Sequence, residues 1–495
     1  MEITNFKNLA KNSLRRKALL IAKTGHEAID IEKVVQQKIK IKQNQLFIFN
    51  PAVRSNTITR DSIIKLDLNK YKRVFLVGIG KGSILASLSL AKILGDKLTS
   101  GIALDIQYQD IRCPKIKRQY LGHPMSPKLK FLIGTHPLPS KQNIAATKKI
   151  IELVKKAGKD DLIVAFICGG GSALLCGSEK ELKNSVLATK LLTQAGANIL
   201  ELNTVRKHLS LVKAGGLAKL AYPANIISLI VSDVLGNNLS MVASGPTVFD
   251  KTTKKEAEKV LKKYFNMGTS DVPNINRNNF RTSDVQKLKF VETPKNKKYF
   301  KKIKNILFLS NREPVLAMAE KAKKLGFKSK IYSHSLQGEA KDSLLLLIKK
   351  VLGLSLRAKR SNLINRKGAV ILAGGETTVT LQSSKFKVKS LNFGKGGRNM
   401  EAVLGALTTN YKRLTTDTIF MSFASDGRDN TEAAGAIGDI LTIKKAQKLK
   451  LNSQKYLDRH DSFNFFKKTK DLIFTEQKTF NVADLMIVLK STNSE

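Results

Sequence analysis

The sequence is poor in cysteine and has no long apolar run. Three cysteines, Cys113, Cys168 and Cys176, occur in 495 residues, and their odd number and irregular spacing argue against a disulfide-stabilised secreted protein. We therefore expect a reducing, cytoplasmic location. No apolar run is long enough to span a bilayer, so no membrane partner is expected. Residues 1–25 are basic and amphipathic but lack the apolar core and cleavage site of a signal peptide.

Acidic residues are also scarce. The chain has 39 Asp and Glu against 87 Lys and Arg, which gives a formal net charge of +48. Such a charge is typical of proteins that bind nucleic acids or anionic membrane surfaces. The lysines, however, are spread from Lys7 to Lys490, and no zinc-finger or RNA-recognition motif accompanies them. We interpret the charge as a general compositional feature and expect no specific nucleic-acid partner. The oligomeric state stays open.

A chain of 495 residues is too long for one hydrophobic core, so we expect more than one domain. In the first half, residues 73–80, 161–171 and 225–233 each read as an apolar strand followed by a loop, with predicted helices between them. Alternating strands and helices indicate a mostly parallel, doubly wound sheet. We therefore predict an α/β protein whose larger, Rossmann-like N-terminal domain spans residues 1–285.

The second half begins after a change in composition. Residues 269–303 are polar and basic with little apolar periodicity, which is typical of a linker. A new strand–helix–strand pattern begins at Ile306 and predicts a smaller α/β C-terminal domain over residues 300–495, with a cleft between the domains. The basic stretch 355–367 resembles an insertion in a surface loop.

Residues 202–216 predict an amphipathic helix that ends at two glycines. Its polar face carries Asn203 and Arg206, and the apolar strand after it ends at Asp233. Ligands of open α/β sheets bind beyond the carboxyl ends of the strands. A cationic helix face near a carboxylate at a strand end is suited to an anionic ligand and a metal ion. Lys207, on the same helix, is a second candidate for ligand contact.

Two glycine-rich turns come after apolar strands in the first half. The turn VGIGKGS (77–83) matches neither the phosphate loop of nucleotide hydrolases nor the full dinucleotide fingerprint. Its Lys81 is placed to hold a carboxylate or a transferring phosphoryl group. In GGGSALL (169–175), Ser172 is predicted to cap the next helix. A nucleophilic role for this serine is disfavoured, because the turn is not the GxSxG elbow.

The second half carries a similar set of turns. Gly374, Gly375 and Glu376 come after an apolar strand, and the glycines at 394–397 precede Arg398, which offers bidentate geometry to a phosphate or carboxylate. Asp426 and Asp429, after a further strand, are candidates for metal or ribose contact. For Asp429 a simple turn role is an equal alternative.

Seven segments occur in the order VGIGKGS (77–83), GGGSALL (169–175), NTVRKHLS (203–210), ASGPT (243–247), AGGETTVT (373–380), GKGGRN (394–399) and SDGRDN (425–430). Together they resemble the motifs of the glycerate kinases of the two-domain family called MOFRL. The resemblance implies ATP-dependent phosphorylation of D-glycerate at the 2-hydroxyl, with D-glycerate and a nucleotide as small-molecule partners and ATP and Mg²⁺ as cofactors. It also places the active-site lysine of the family at Lys81.

Residue chemistry and this resemblance together predict three classes of site residue and a metal site. They are catalytic Lys81, Asp233 and Arg398; substrate-binding Arg206, Ser172 and Asn203; phosphate-binding Gly78, Gly80, Gly169, Gly170, Gly171, Gly374, Gly375, Glu376, Gly396 and Gly397; and metal-binding Asp233 and Asp426. The chain departs from the family pattern at Asn237 and Asn238, where acidic residues are usual, and in residues 475–485, which lack the usual glycines.

Two other functions stay open. An NAD(P)-dependent hydroxypyruvate reductase acts on a related small acid and also needs glycine-rich loops. Against it, neither His136 nor His208 has an evident carboxylate partner in the sequence, as a proton donor of this kind requires. The third alternative is an inactive basic scaffold that kept the fold, which the net charge and the altered loop at 475–480 support.

Overall fold

The computed structural model describes most of the chain. The described residues are 2–49, 63–106, 128–265, 288–360, 368–380, 393–409, 417–476 and 480–492. Cys113, residues 269–287 of the predicted linker, residues 361–367 of the basic stretch and residues 477–479 of the altered loop lie outside them. None of the helices in the described part is both long enough and apolar enough to cross a membrane.

The strands are β1 (Ile39–Lys42), β2 (Gln45–Phe49), β3 (Ile63–Asp67), β4 (Arg73–Ile79), β5 (Leu98–Ile106), β6 (Leu129–Gly134), β7 (Asp161–Ile167), β8 (Asn225–Val231), β9 (Ile303–Leu309), β10 (Lys328–Leu336), β11 (Gly368–Gly375), β12 (Thr418–Ala424), β13 (Gly435–Gly438), β14 (Leu472–Ile473) and β15 (Asp484–Ser491). The helices are α1 (Phe6–Leu9), α2 (Ser13–Glu27), α3 (Ile31–Lys38), α4 (Ser83–Leu94), α5 (Lys141–Lys155), α6 (Gly171–Leu174), α7 (Glu179–Gln194), α8 (Ile199–Lys207), α9 (Gly216–Ala221), α10 (Lys254–Phe265), α11 (Arg312–Lys324), α12 (Ala340–Arg360), α13 (Arg398–Thr409), α14 (Ile440–Lys448), α15 (Ser453–Asp458) and α16 (Ser462–Thr469).

Two compact units divide the chain. Residues 31–308 form one, here called the middle unit, and residues 1–30 with 309–495 form the other, the terminal unit. The predicted boundaries, 1–285 and 300–495, differ from this division chiefly in where they place the first thirty residues. No local composition signal separates those thirty residues from the middle unit, because their partners lie more than 400 residues away.

The middle unit is built on a six-stranded sheet in the order β6-β5-β4-β7-β8-β9. The pairs β4–β5, β5–β6, β4–β7 and β7–β8 are all parallel. Along β4, Phe75, Val77 and Ile79 pack on the face that carries α5 and α9. On the other face the backbone of Gly78 lies against Ser87 of α4. Helices therefore cover both faces, which confirms the predicted doubly wound α/β sheet. β1, β2 and β3 form a separate antiparallel sheet.

The terminal unit has a mixed sheet in the order β10-β11-β15-β12-β13-β14. β10 and β11 are parallel, whereas β15 runs antiparallel to both β11 and β12. Val370 and Leu372 of β11 pack against α2 and α11, and the alternate residues Ile371 and Ala373 pack against α12 and α13. Each face of the sheet is thus buried by its own layer of helices, which explains why β11 is apolar at every position.

A buried arginine joins α2 to the rest of the terminal unit. The Arg15 side chain is fully buried; its Nε and Nη2 donate to Asp439 at 2.7 and 2.6 Å, and its Nη1 donates to Asp471 at 2.7 Å. Burial opposes the charge of Arg15, but the two carboxylates outweigh it and hold the pKa of Arg15 above its ordinary value. A buried arginine with both carboxylates in place satisfies its donors, whereas losing either partner leaves an uncompensated charge.

Candidate active site

The central strands of the middle unit create a point where the strand order reverses. β4 is followed outward by β5 and β6, whereas β7 is followed in the opposite direction by β8. The loops after β4 and β7 are joined: the Lys81 amide donates to Gly169 O at 2.9 Å, and the Cys168 amide donates to Ile79 O at 2.8 Å. In open parallel sheets such a switch point is the usual ligand crevice. Two of the predicted glycine turns therefore meet at one place.

The glycines of these turns are required by close packing and by backbone conformation. Gly80 and Gly170 have φ angles of +112° and +79°, in the region that side chains disfavour. A methyl group at Gly80 would also overlap the Cys168 carbonyl oxygen, and one at Gly78 would overlap Ser87 Oγ. At Gly171 a methyl group would lie 2.5 Å from the Ala243 side chain. Their predicted role in phosphate binding stays a prediction.

Lys81 lies across the second turn. A Cβ atom placed on Gly170 would be 3.0 Å from Lys81 Cγ and 3.3 Å from Lys81 Cε, so the aliphatic stem covers this glycine. Within the described part of the chain the Lys81 ammonium makes no hydrogen bond or ion pair. A cation without a protein counter-ion at a switch point is suited to an anionic ligand.

Arg206, near the end of α8, is a second cation of this kind. Its Nε atom is buried and has no hydrogen-bond partner among the described residues. Burial lowers the pKa of Arg206 from its ordinary value, and the charge of Glu181 partly opposes this shift. By contrast, Lys207 pairs with Asp250 at 3.1 Å, so this second predicted contact is an internal ion pair. Arg206 remains available to a ligand.

The helix that carries Arg206 is shorter than predicted. Residues 202–216 were expected to form one helix, but α8 ends at Lys207 and α9 begins at Gly216. Ala214 and Gly215, with φ angles of +50° and +81°, interrupt the chain between the two helices. Their amides donate to the carbonyls of Ser244 and Gly245, and this long-range pairing replaces helical hydrogen bonds. The prediction of one continuous helix is therefore wrong.

Asp233 reaches the same glycine turn from the end of β8. A methyl group at Gly169 would overlap the Asp233 carboxylate, so glycine is needed for this approach. Asp105 also lies nearby, but it accepts hydrogen bonds from the amides of Gly82 and Ile84 at 3.1 Å each and so caps α4. Burial, with Asp105 and Asp233, raises the pKa of Cys168 well above its usual range. The thiol is therefore neutral and buried, as its place at the end of an apolar strand predicts.

The hydroxyl groups of Ser172 and Ser244 form a pair at 2.8 Å. Ser172 was predicted to cap the next helix, but Gly170 occupies the capping position of α6 and no side chain caps it. The capping prediction is therefore wrong, because a serine two residues further on turns toward the 242–245 loop instead. Asn203 faces this loop as well, with its Nδ2 4.0 Å from Met241 Sδ.

The loop after β8 departs from the family pattern in a way that the structure explains. Asn237 has a φ angle of +55°, a conformation that asparagine tolerates better than most residues. Asn238 Oδ1 accepts from the amide and hydroxyl of Ser240 at 3.1 and 2.9 Å. Both asparagines therefore shape a turn.

In the terminal unit, Arg398 is already paired. Its Nε lies 2.5 Å from Asp484 Oδ2 and its Nη1 lies 2.9 Å from Glu376 Oε1. Burial opposes the charge, but Asp484 and then Glu376 hold the pKa of Arg398 above its ordinary value. The structure thus brings together two predicted site residues, Glu376 and Arg398, with Asp484, whose role as a partner the sequence did not indicate.

Asp429 caps the helix that begins at Arg398. Its carboxylate accepts from the amides of Asn399 and Met400 at 3.1 and 2.8 Å. Burial, and next the charge of Asp484, raises the pKa of Asp429 to about 7. Asp429 therefore has a structural role at the start of this helix, and its predicted metal or ribose contact stays a prediction. Asp426 accepts from the Arg428 amide at 3.0 Å within the preceding turn.

The glycines of the terminal unit lie at close backbone contacts. A methyl group at Gly375 would overlap the Leu336 carbonyl, and one at Gly397 would overlap Asp429. At Gly396 the nearest atom is Ser462 Oγ, and at Gly374 it is a methyl group of Val315. These contacts explain the glycines without a ligand, and their predicted phosphate contacts stay predictions.

No preformed metal cage is present in the described residues. Nowhere in that part of the chain do three His, Cys, Asp or Glu side chains gather closely enough to hold an ion. Magnesium in kinases is commonly held by one or two carboxylates together with substrate phosphates and water. Asp233, partly exposed at the strand end, fits such a single-carboxylate role.

Comparison with known proteins shows which proteins this chain resembles. A domain of unknown function, DUF4147, matches residues 17–274, and the MOFRL family matches residues 369–484. A protein of Pyrococcus horikoshii named glycerate 2-kinase is 34% identical over 73% of this chain and 78% of its own. An Agrobacterium vitis protein with the provisional name hydroxypyruvate reductase is 32% identical over 89% of this chain and 93% of its own. The crystal structure of glycerate kinase from Thermotoga maritima superposes with a TM-score of 0.74 and 28% identity, over 97% of this chain and 99% of that one.

Proposed function

We propose a function for this chain on the premise that it belongs to the family that joins a DUF4147 domain to a MOFRL domain, the family of the glycerate 2-kinases. The chain is a glycerate kinase, which transfers a phosphoryl group from ATP to D-glycerate. We assign the acceptor as the 2-hydroxyl of D-glycerate and Mg²⁺ as the accompanying cation. The free thiols of Cys168 and Cys176 suit a reducing cytoplasm.

One observation carries this proposal. Lys81 and Arg206 lie at the carboxyl end of a parallel sheet, and in the described residues neither side chain forms a direct ion pair, although the charge of Glu181 acts on Arg206. Leaving a cation without a partner is unfavourable unless a ligand supplies the opposite charge. Both substrates of a glycerate kinase are anions, so a carboxylate or phosphate group would complete this site.

The reaction requires that the two substrates be positioned and that the charge on the transferring phosphoryl group be neutralised. The bond between the γ-phosphorus and the bridging oxygen of ATP breaks, a bond from that phosphorus to the glycerate hydroxyl oxygen forms, and the hydroxyl proton must leave. Lys81 and Arg206 would bind the carboxylate of glycerate and also stabilise the charge that builds up on the transferring group beside it. The Asp233 carboxylate would accept the proton or orient the hydroxyl. The hydroxyl pair of Ser172 and Ser244 would hold the remaining polar groups of the small acid.

When bound, Mg²⁺ would neutralise part of the charge of the triphosphate. Asp233 is the residue of the middle unit that we assign to it, and a metal contact of Asp426, in the terminal unit, stays a prediction from the sequence. With a single protein carboxylate, the ion would be bound with the nucleotide.

The test of function is a coupled assay of the purified chain with D-glycerate, ATP and Mg²⁺, run beside hydroxypyruvate with NADH and with NADPH. ADP release that depends on glycerate supports the kinase, and ¹³C NMR of the product identifies the phosphorylated hydroxyl. Oxidation of NADH or NADPH that depends on hydroxypyruvate, without ADP release, would overturn it.

The reductase alternative needs a histidine paired with an acid at the site. His208 has Asp250 and Glu292 at 3.8 and 3.7 Å, but it is fully buried, and its nitrogens bond Thr252 and Val291. A buried histidine whose two nitrogens are occupied cannot pass a proton to a substrate. His208 therefore has carboxylates nearby, but its burial and its occupied nitrogens prevent it from acting as the proton donor of a reductase.

A further inference from the structure

His136 is a residue near the two unpaired cations that the proposed mechanism does not use. It comes after β6 and lies beside Gly170, as the side chain of Lys81 does. A Cβ atom on Gly170 would be 3.0 Å from Lys81 Cγ and 3.4 Å from His136 Cδ2, so both side chains flank the same glycine. Gly170 therefore leaves a gap in which the lysine stem and the imidazole approach each other.

The ring nitrogens of His136 have no hydrogen-bond partner among the described residues. Two other histidines of the chain, His208 and His460, differ in this respect. His208 bonds Val291 O and Thr252 Oγ1 at 3.0 and 3.2 Å, and His460 bonds Glu401 at 3.0 Å. His136 is thus placed to offer a donor and an acceptor to a ligand, whereas these two histidines are already engaged.

The charges that act on the ring are those of Lys81, in the loop after β4, and Arg206, on α8. Partial burial of the ring, and after it these two cations, lowers the pKa of His136 to about 4. Without ligand the imidazole is therefore neutral at pH 7. An anion bound between the cations would offset them and favour the protonated ring, because an opposite charge within a few ångströms favours the charged form.

We propose that His136 is a substrate-contacting residue, whose imidazole hydrogen-bonds the small hydroxy acid held by Lys81 and Arg206. The ring can donate a hydrogen bond to an oxygen of such an acid in both its neutral and its protonated form, and protonation strengthens this bond to a carboxylate. The identity of the acid in this inference rests on the proposed function. The contact between the ring and a bound anion does not depend on that function.

The test is calorimetric titration of the full chain with D-glycerate, without nucleotide, at pH 6 in two buffers of different ionisation enthalpy. The wild-type chain is expected to take up a fraction of a proton on binding. His136→Gln should bind about 10-fold more weakly, the loss of a hydrogen bond to a charged ligand, and should take up no proton. His334→Gln is the matched control, because the pKa of His334 is also lowered but the residue belongs to the terminal unit. Unfolding temperatures check that each variant is folded.

The outcomes separate this inference from the proposed function. Wild-type affinity and proton uptake in His136→Gln would overturn the contact while leaving the kinase intact. Inorganic phosphate serves as the second probe: if the chain does not phosphorylate glycerate but binds phosphate with His136-dependent proton uptake, the kinase fails and the contact stands. Binding of neither probe to the wild-type chain overturns the contact as well.

Discussion

The predicted cationic site residues of the two units differ in whether an acidic side chain pairs with them. In the middle unit, Lys81 and Arg206 lie beside glycine turns without a counter-ion in the described residues. In the terminal unit, Arg398 is held by Asp484 at 2.5 Å and by Glu376 at 2.9 Å. The difference suits Lys81 and Arg206 to an anionic ligand, whereas Arg398 stabilises the terminal unit through its ion pairs.

This contrast also bears on how a basic site is recognised in a very basic chain. With 87 Lys and Arg, position on a sequence motif is a weak guide to function. Lys207 and Lys213 lie close to Arg206 in sequence, but each is neutralised by a buried acid, Asp250 or Glu181. The absence of a partner, rather than the presence of a charge, therefore distinguishes the candidate site residues.

The sharpest comparison is between two lysines of the middle unit. Lys81→Ala should lower kcat for glycerate phosphorylation by about 10²–10³-fold, because it removes a charge that stabilises the transferring group. Its unfolding temperature should not change, since the ammonium has no partner to lose. Lys207→Ala is the control: it leaves Asp250 buried and unpaired and should cost about 3–5 kcal/mol of unfolding free energy. Steady-state kinetics and urea unfolding measure the two effects. A strong loss of stability in Lys81→Ala would contradict the view that Lys81 is unpaired and Lys207 is paired.

A second comparison sets the two arginines against each other. Arg398→Met should destabilise the chain by about 3–5 kcal/mol, because Asp484 loses its buried counter-ion. Arg206→Met should leave stability unchanged or raise it, since it removes a buried charge that has no partner. Its kcat/KM for glycerate should fall by about 10- to 100-fold. Chemical unfolding with kinetics tests both, and equal destabilisation by the two substitutions would contradict the division between units.

The third comparison concerns the glycine that touches Asp233. Gly169→Ala should displace the Asp233 carboxylate and lower kcat by about 10- to 100-fold, as expected when a catalytic group moves by about 1 Å. Gly158→Ala is the control, because its nearest atom would be Asp161 Oδ2 at an ordinary 3.6 Å. If Gly169→Ala is as active as the control, Asp233 has no role in the proposed site.

The smallest expected effect is a pH dependence in the terminal unit. The pKa of Asp429 is raised to about 7, so the carboxyl favours the folded state below its ordinary pKa, and this contribution is lost as pH rises through 7. Asp429→Asn stays neutral, and its unfolding temperature relative to the wild type should therefore rise between pH 5 and pH 8. A constant difference across this range would show that Asp429 is ionised throughout in the folded chain.

Much of the fold could be predicted from local pattern. Strand–turn–helix alternation predicted the parallel sheet, and the position of Asp233 at the end of an apolar strand predicted that it lies at the ligand-binding edge. The structure adds that Lys81, Gly169 and Asp233 meet there. The features that local pattern missed depend on partners far away in sequence. Arg398 meets Asp484 at a separation of 86 residues, and the helix after Lys207 is broken by pairing with residues 244–245. Such contacts leave no periodic signal. The catalytic and binding roles themselves stay predictions.

The buried arginine of α2 has a consequence for the order in which the chain is made. Arg15 is synthesised early, but its partners Asp439 and Asp471 leave the ribosome more than 400 residues later. The middle unit, residues 31–308, is complete long before that. We therefore expect α2 to lack its partners while the middle unit folds, with its apolar face accessible to chaperones. The terminal unit can form around α2 only once residues 309–495 have been synthesised.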